Sequence, residues 1–198
     1  MSFEQRLLKF FRTLILVGAI VTGVVLWIVQ WSMTRPQTQP IAFSHQVHVG
    51  QRQISCFYCH TGAMKGDIAG VIAVQDCMQC HQTVAADHPE IQKISERWFK
   101  TKQPIVWAKV YKMPKHVHFS HRVHIAFLSR NNPDALADPG KTICIKCHGD
   151  VPNMKVIGAP VSLPMVLTGN MNPNTGMGFC VDCHRANGGP MDCTACHR

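Results

Sequence analysis

The chain has 198 residues, with 20 Lys and Arg against 11 Asp and Glu for a formal charge of +9, and 46% of it is hydrophobic. That length holds one or two modest domains. The apolar residues crowd the N-terminus, and the remainder, rich in Gly, Pro, Met, His and Cys, lacks the long amphipathic patterns of a large side-chain core.

The first predicted element is a membrane span. Thr13 to Thr34 runs without a charge through LILVGAIVTGVVLWIVQW. Its 22 residues at about 1.5 Å each cover roughly 33 Å, close to a bilayer's hydrocarbon thickness. A cleaved signal peptide would have a shorter apolar core and small residues near its end, where Trp27, Trp31 and Met33 stand instead. Arg6, Lys9 and Arg12 precede the span, so the positive-inside rule keeps the N-terminus in the cytoplasm and the rest of the chain outside. Residues 1–34 are thus expected to form tail and anchor. Residues 35–42 read as an extended linker stiffened by Pro36 and Pro40.

Beyond the linker, Phe43, Ser44, His45, Gln46, Val47, His48 repeats almost unchanged as Phe119, Ser120, His121, Arg122, Val123, His124. Each copy precedes a group of Cys-x-x-Cys-His motifs, two in the first half and three in the second, which predicts an unequal duplication into lobes 43–115 and 116–198. Between the copies, Asp87 and Glu90 have capping-box spacing around Pro89. Ile91, Ile94 and Trp98 follow at helical intervals, predicting a helix from His88 to Lys100. Ile105 to Tyr111 alternates loosely, as an extended segment does. Residues 131–140 and 151–178 carry enough Gly, Pro and Asn to read as irregular chain.

All ten cysteines fall in these motifs: Cys56, Cys59 and His60; Cys77, Cys80 and His81; Cys144, Cys147 and His148; Cys180, Cys183 and His184; Cys193, Cys196 and His197. Paired cysteines also build zinc sites. With 12 histidines in the chain, five pairs each followed by His would arise by chance on the order of once in a million. Zinc has no need of that fifth residue. Haem c does, because two thiols add to its vinyl groups and the next residue brings an imidazole under the iron. The fold class expected is therefore a multihaem cytochrome c, with little regular secondary structure beyond short α-helices and loops around five covalently bound haems, and one N-terminal transmembrane helix. Haem c is attached outside the cytoplasmic membrane, which agrees with a periplasmic domain on a single-pass inner-membrane anchor.

Seven histidines remain as candidates for the sixth iron position: His45, His48, His88, His116, His118, His121 and His124. On a helical turn, i and i+3 imidazoles leave one side of the backbone and can reach two neighbouring irons, which singles out His45, His48, His121 and His124. The FSHxxH element is similar to that of the small class III and triheme c7 cytochromes. That resemblance implies His45 for the haem of His60, His121 for that of His148 and His124 for that of His184. It also implies Met177, three residues before Cys180, for that of His197. His48 then serves the haem of His81, with His88, His116 or His118 as substitutes, and Met154, Met165 and Met171 are runners-up to Met177. A thioether raises the potential of its iron relative to two imidazoles.

One span followed by a duplicated five-haem domain resembles, over nearly the full length, the pentahaem subunit of alternative complex III. His116 and His118 stand where that family is expected to carry aromatic residues. The resemblance implies partners: a quinol-oxidising integral membrane subunit, an iron–sulfur subunit, a monohaem cytochrome c, and a periplasmic acceptor such as a cytochrome c or a copper protein. The positive charge alone would also suit nucleic acid, which an outer location excludes. Lys146, Arg185 and Arg198 are candidates for pairing with haem propionates. The chain is expected to be an electron wire with no catalytic residues of its own. The alternative is a multihaem reductase of nitrite or nitrate, or a quinol dehydrogenase, acting directly on substrate.

Overall fold

The structure is a computed structural model that describes residues 2–34, 38–111, 113–130, 143–157 and 176–197. Among these residues no strand forms; the secondary structure is helical, with an isolated antiparallel bridge between Val117 and His197.

The N-terminal helix, Phe3–Thr34, starts ten residues before the uncharged stretch predicted from Thr13. Its Phe3–Ser32 portion is long and apolar enough to cross a membrane, and none of it is buried against the rest of the chain. The hydroxyls along it are satisfied internally. Thr13 donates to Lys9 O at 2.9 Å, Thr22 to Gly18 O at 2.9 Å and Ser32 to Val29 O at 2.8 Å, as an apolar surrounding requires. Trp27 and Trp31, one turn apart, stack at 6.0 Å.

The chain leaving the anchor is tied down at once. Gln39 pairs with the backbone of Ala108 in both directions, at 2.9 and 3.0 Å. The Ala42 N–H donates to the Glu90 carboxylate at 2.8 Å. That bond corrects the predicted capping box: Glu90 faces the linker, and the helix Pro89–Ile94 is capped by His88, whose Nδ1 accepts from Glu90 N at 3.3 Å. Pro89 supplies the pre-set first helical residue. A wide π-type turn, Ser95–Phe99, completes the predicted element.

Side-chain packing is sparse. One buried cluster joins Ile41 of the linker, Val74 and Met78 of the helix Val74–His81, and Ile94 and Trp98. A smaller one joins Ala63 to Ile125 and Ile143, with Phe57, Ala69 and Leu128 around it. No large side chain among the described residues is fully buried. The second cluster crosses the boundary expected at residue 116, and so do several backbone ties. Arg122 N donates to Gly66 O at 3.2 Å and Gln46 N to Met154 O at 2.9 Å. Gly50 lies so close to Pro152 O that a Cβ there would clash with it. The two halves therefore interlock along the chain.

Candidate haem centres

Each Cys-x-x-Cys pair sits on a helical turn: Cys56–Cys59, the end of Val74–His81, Ile145–His148 with its cap Cys144, the middle of Met177–Asn187, and Cys193–Cys196. A turn of this kind puts two thiols three residues apart on one side, as a pair of adjacent thioethers needs. The histidine that follows is then aimed by its Nδ1. His60 Nδ1 meets Gly70 O at 2.5 Å, His81 Nδ1 meets Val84 O at 2.9 Å and His184 Nδ1 meets Pro190 O at 2.8 Å. A carbonyl only accepts, so in each ring Nδ1 carries the proton and Nε2 keeps its lone pair for a metal.

The histidines upstream are held in the same way. His48 Nδ1 donates to Ser44 O at 2.9 Å, His124 Nδ1 to Ser120 O at 2.7 Å and His121 Nδ1 to Asp67 O at 2.6 Å. The repeated hexapeptide repeats in three dimensions. Phe43 stacks on His48 at 4.4 Å and 21° and meets His45 edge-on at 4.8 Å. Phe119 stacks on His124 at 4.5 Å and 22° and meets His121 edge-on at 4.9 Å. The first copy sits on a wide turn, Gln46–Gln51, and the second on the helix His121–Arg130. His45 differs in that its buried Nδ1 has no partner.

These rings face the motif histidines in pairs. The ring centres of His45 and His60 are 6.5 Å apart, His48 and His81 5.9 Å, His121 and His148 6.3 Å, and His124 and His184 6.1 Å. Two imidazoles on opposite sides of one iron, with metal–nitrogen bonds of about 2.0 Å and ring centres about 1.15 Å behind the nitrogens, would be separated by roughly 6.3 Å. The four pairs match that spacing, which fits a haem iron between each. The interplanar angles are 2° for His45 and His60, 5° for His121 and His148, 33° for His124 and His184, and 66° for His48 and His81.

The electrostatics suit neutral imidazole ligands. Burial, with His60 and His48 nearby, pushes His45 down to about 4, and burial with His121 and His60 lowers His148. Both rings are deprotonated at neutral pH, the state a metal requires. The thiols shift the other way. Burial raises Cys59, with Cys77 next in importance, and it raises Cys77, Cys147 and Cys180 as well. A hydrogen bond to Cys56, then burial, raises Cys144. Among the described residues no three His, Cys, Asp or Glu side chains gather as a bare ion would need.

The same neighbours order the motifs in space. Cys59 approaches Cys77, a thiol hydrogen bond joins Cys56 and Cys144, Cys147 approaches Cys183 and Cys180, and Cys180 approaches Cys196. Numbered along the chain, the motifs thus adjoin in the order second, first, third, fourth, fifth.

Met177 stands 67% exposed on the first turn of Met177–Asn187, and it is His116 whose ring lies 5.4 Å from that of His197, at 28°. Sequence reasoning held His116 only as a substitute elsewhere. Of the other reserves, His88 is the helix cap already described, Met154 closes the turn Val151–Asn153, and Met165 and Met171 lie outside the described residues. Among the proposed propionate partners, Arg185 bonds Asp182 at 3.1 Å on its own exposed helix face, and Arg198 lies outside the described residues.

Thiol pairs on helical turns, each followed by an imidazole with a second imidazole across from it, mark the class of multihaem cytochromes c. No family model matches the chain. The multihaem cytochrome c subunit of menaquinone reductase from Nitratidesulfovibrio vulgaris is 30% identical to it over 169 residues, spanning 85% of this chain and 77% of the relative. The chain belongs to that family of multihaem cytochrome c subunits.

Proposed function

We propose that this chain is a membrane-anchored pentahaem cytochrome c, the electron-carrying subunit of a membrane quinone oxidoreductase. The observation that carries the reading is the set of imidazole pairs at axial spacing across the Cys-x-x-Cys-His motifs. Bound haem c supplies one-electron exchange between ferric and ferrous iron. The residues of the chain do the rest. Cys56, Cys59, Cys77, Cys80, Cys144, Cys147, Cys180, Cys183, Cys193 and Cys196 would bind the porphyrins, and His60, His81, His148, His184 and His197 the irons. His45, His48, His121 and His124 close the far side of the first four, each oriented by the phenylalanine or carbonyl beside it. With an imidazole on each side, the first four irons would have no position open to nitrite or a similar substrate, which argues against the reductase reading.

The order of the motifs puts Cys77 and Cys193 at opposite ends, and the ends are where partners would dock. Ile41 follows the end of the N-terminal helix by seven residues, so it lies within about 25 Å of it by chain reach. Ile41 packs on Val74 and Met78, beside the second motif. That end is therefore assigned to the membrane-side, quinone-linked partner, and the fifth motif to a soluble periplasmic donor or acceptor. The name of the menaquinone reductase relative and the resemblance to alternative complex III agree on a quinone-linked complex of several subunits. The Phe3–Thr34 helix serves as its anchor, N-terminus inside.

The test uses the full-length protein in detergent. Five haems per chain by pyridine haemochrome, and a reduced spectrum unchanged by carbon monoxide, are expected. Two or three haems, or appreciable carbon monoxide binding, would refute the reading.

A further inference from the structure

We infer that His116, and not Met177, is the distal iron ligand opposite His197, so that all five irons carry two imidazoles. The inference rests on the haem reading above and deepens it at one site.

Three observations bear on it. The first is position: His116 faces His197 across 5.4 Å, while Met177 sits on the first turn of the helix that carries the fourth motif. The second is how the backbone holds that position. Val117 bridges to His197, and His118 N donates to Cys196 O at 2.8 Å. Residues 116–118 are thus clamped to the fifth motif itself by main-chain contacts on both of its last residues. Val117 N also donates to Pro114 O at 3.0 Å, which turns the chain so that His116 precedes the clamp on a bend. The ring separation is roughly 0.9 Å short of the axial spacing derived from ordinary metal–imidazole bonds, a gap that a small rotation of an exposed side chain closes.

The third observation is arithmetic in the duplication. His116 lies three residues before Phe119; the corresponding place before Phe43 is Pro40. The first half has two motifs and two histidines in its hexapeptide, His45 and His48. The second has three motifs, and His116 adds the third histidine to His121 and His124. Each half then supplies one upstream imidazole for each of its irons.

The chemical consequence concerns potential. A thioether favours ferrous iron, whereas a second imidazole favours ferric iron and lowers the potential. The end of the chain that Met177 would have made high-potential is then of the same kind as the other four.

The test compares full-length holoprotein with three variants, Met177→Leu, His116→Ala and His116→Met. Haem counting and mass spectrometry of the Cys193–Cys196 peptide show that the fifth motif is loaded. Near-infrared magnetic circular dichroism reads thioether ligation of ferric haem. Wild type is expected to lack the thioether band, and Met177→Leu to be spectroscopically identical to it. His116→Ala should turn about one-fifth of the haem high-spin, by the five attachment motifs, and make it bind carbon monoxide when reduced. If His116→Ala does not accumulate, His116→Met, which keeps a ligand, should gain the thioether band. A band in wild type that Met177→Leu abolishes, or a His116→Ala protein still wholly low-spin with its fifth motif loaded, would overturn the assignment and leave the pentahaem reading standing. A fifth motif without haem would overturn both.

Discussion

Trp98 tests whether side chains or macrocycles hold the membrane end of the domain together. It is 6% exposed in a cluster with Ile41, Val74, Met78 and Ile94, so it links the linker from the anchor to the helix carrying Cys77, Cys80 and His81. A tryptophan buries up to about 250 Å², which at about 25 cal/mol/Å² is roughly 6 kcal/mol. Allowing about a third for compactness of the unfolded chain leaves about 4 kcal/mol, in the range of 3–5 kcal/mol found for Trp→Ala in cores. Trp98→Ala should therefore cost about 3–4 kcal/mol. With a urea slope of about 2 kcal/mol/M, its midpoint falls by roughly 1.5–2 M. The assay is urea unfolding of the ferric holoprotein followed by circular dichroism in the Soret band, with Val106→Ala, at an 81% exposed position, as a control that stays within about 0.5 kcal/mol. A shift below about 0.5 M for Trp98→Ala would refute the reasoning and assign the cohesion of this end to His48 and His81 through the iron between them.

Other outcomes follow from the ligand geometry. His45→Ala should leave one iron five-coordinate, giving a high-spin signal and carbon monoxide binding; an unchanged low-spin spectrum would remove His45 from the ligand set. Because the His48 and His81 planes are 66° apart while those of His45 and His60 are 2° apart, electron paramagnetic resonance should show a strongly anisotropic low-spin species beside ordinary rhombic ones, and a wholly rhombic spectrum would contradict those planes. At Gly189 a Cβ would sit 2.8 Å from the His184 ring, so Gly189→Ala should cost about 1–3 kcal/mol by overpacking and shift the potential of one haem, read by spectroelectrochemical titration. Replacing residues 2–34 by a cleavable export signal should move the haem domain from the membrane to the soluble periplasmic fraction on cell fractionation, and retention in the membrane would assign the attachment to another surface.

The parts legible in the sequence were those governed by covalent spacing. Cys-x-x-Cys-His declares its chemistry locally. The hexapeptides at Phe43 and Phe119 declared a duplication that the Phe43–His48 and Phe119–His124 stacks reproduce at 4.4 and 4.5 Å. The helix after His88 was readable from Ile91, Ile94 and Trp98. Its cap was not, because Glu90 is recruited by Ala42, 48 residues away, and a long-range partner leaves no mark in local spacing. The order of the motifs in space was hidden for the same reason: Cys56 and Cys144 meet across most of the first half of the domain.

For the fifth motif, the pattern carried over from similar cytochromes and the residue count of each half point to different ligands, Met177 and His116. Distance along the chain put Met177 near a haem, but three residues before Cys180 on a continuous helix means almost one full turn from the fourth motif, not the fifth. His116 is remote from Cys193 in sequence, yet it adjoins the one place where the C-terminal motif pairs its backbone with the rest of the chain, Val117 against His197. On the assignment proposed above, an axial bond from a residue beside that bridge would tie the fifth motif to the body of the domain a second time. Ligand choice at the fifth motif is then a matter of mechanical attachment as well as potential. On that proposal the imidazole of His116, on a segment clamped to the fifth motif, is favoured over the thioether of Met177 on the helix of the fourth.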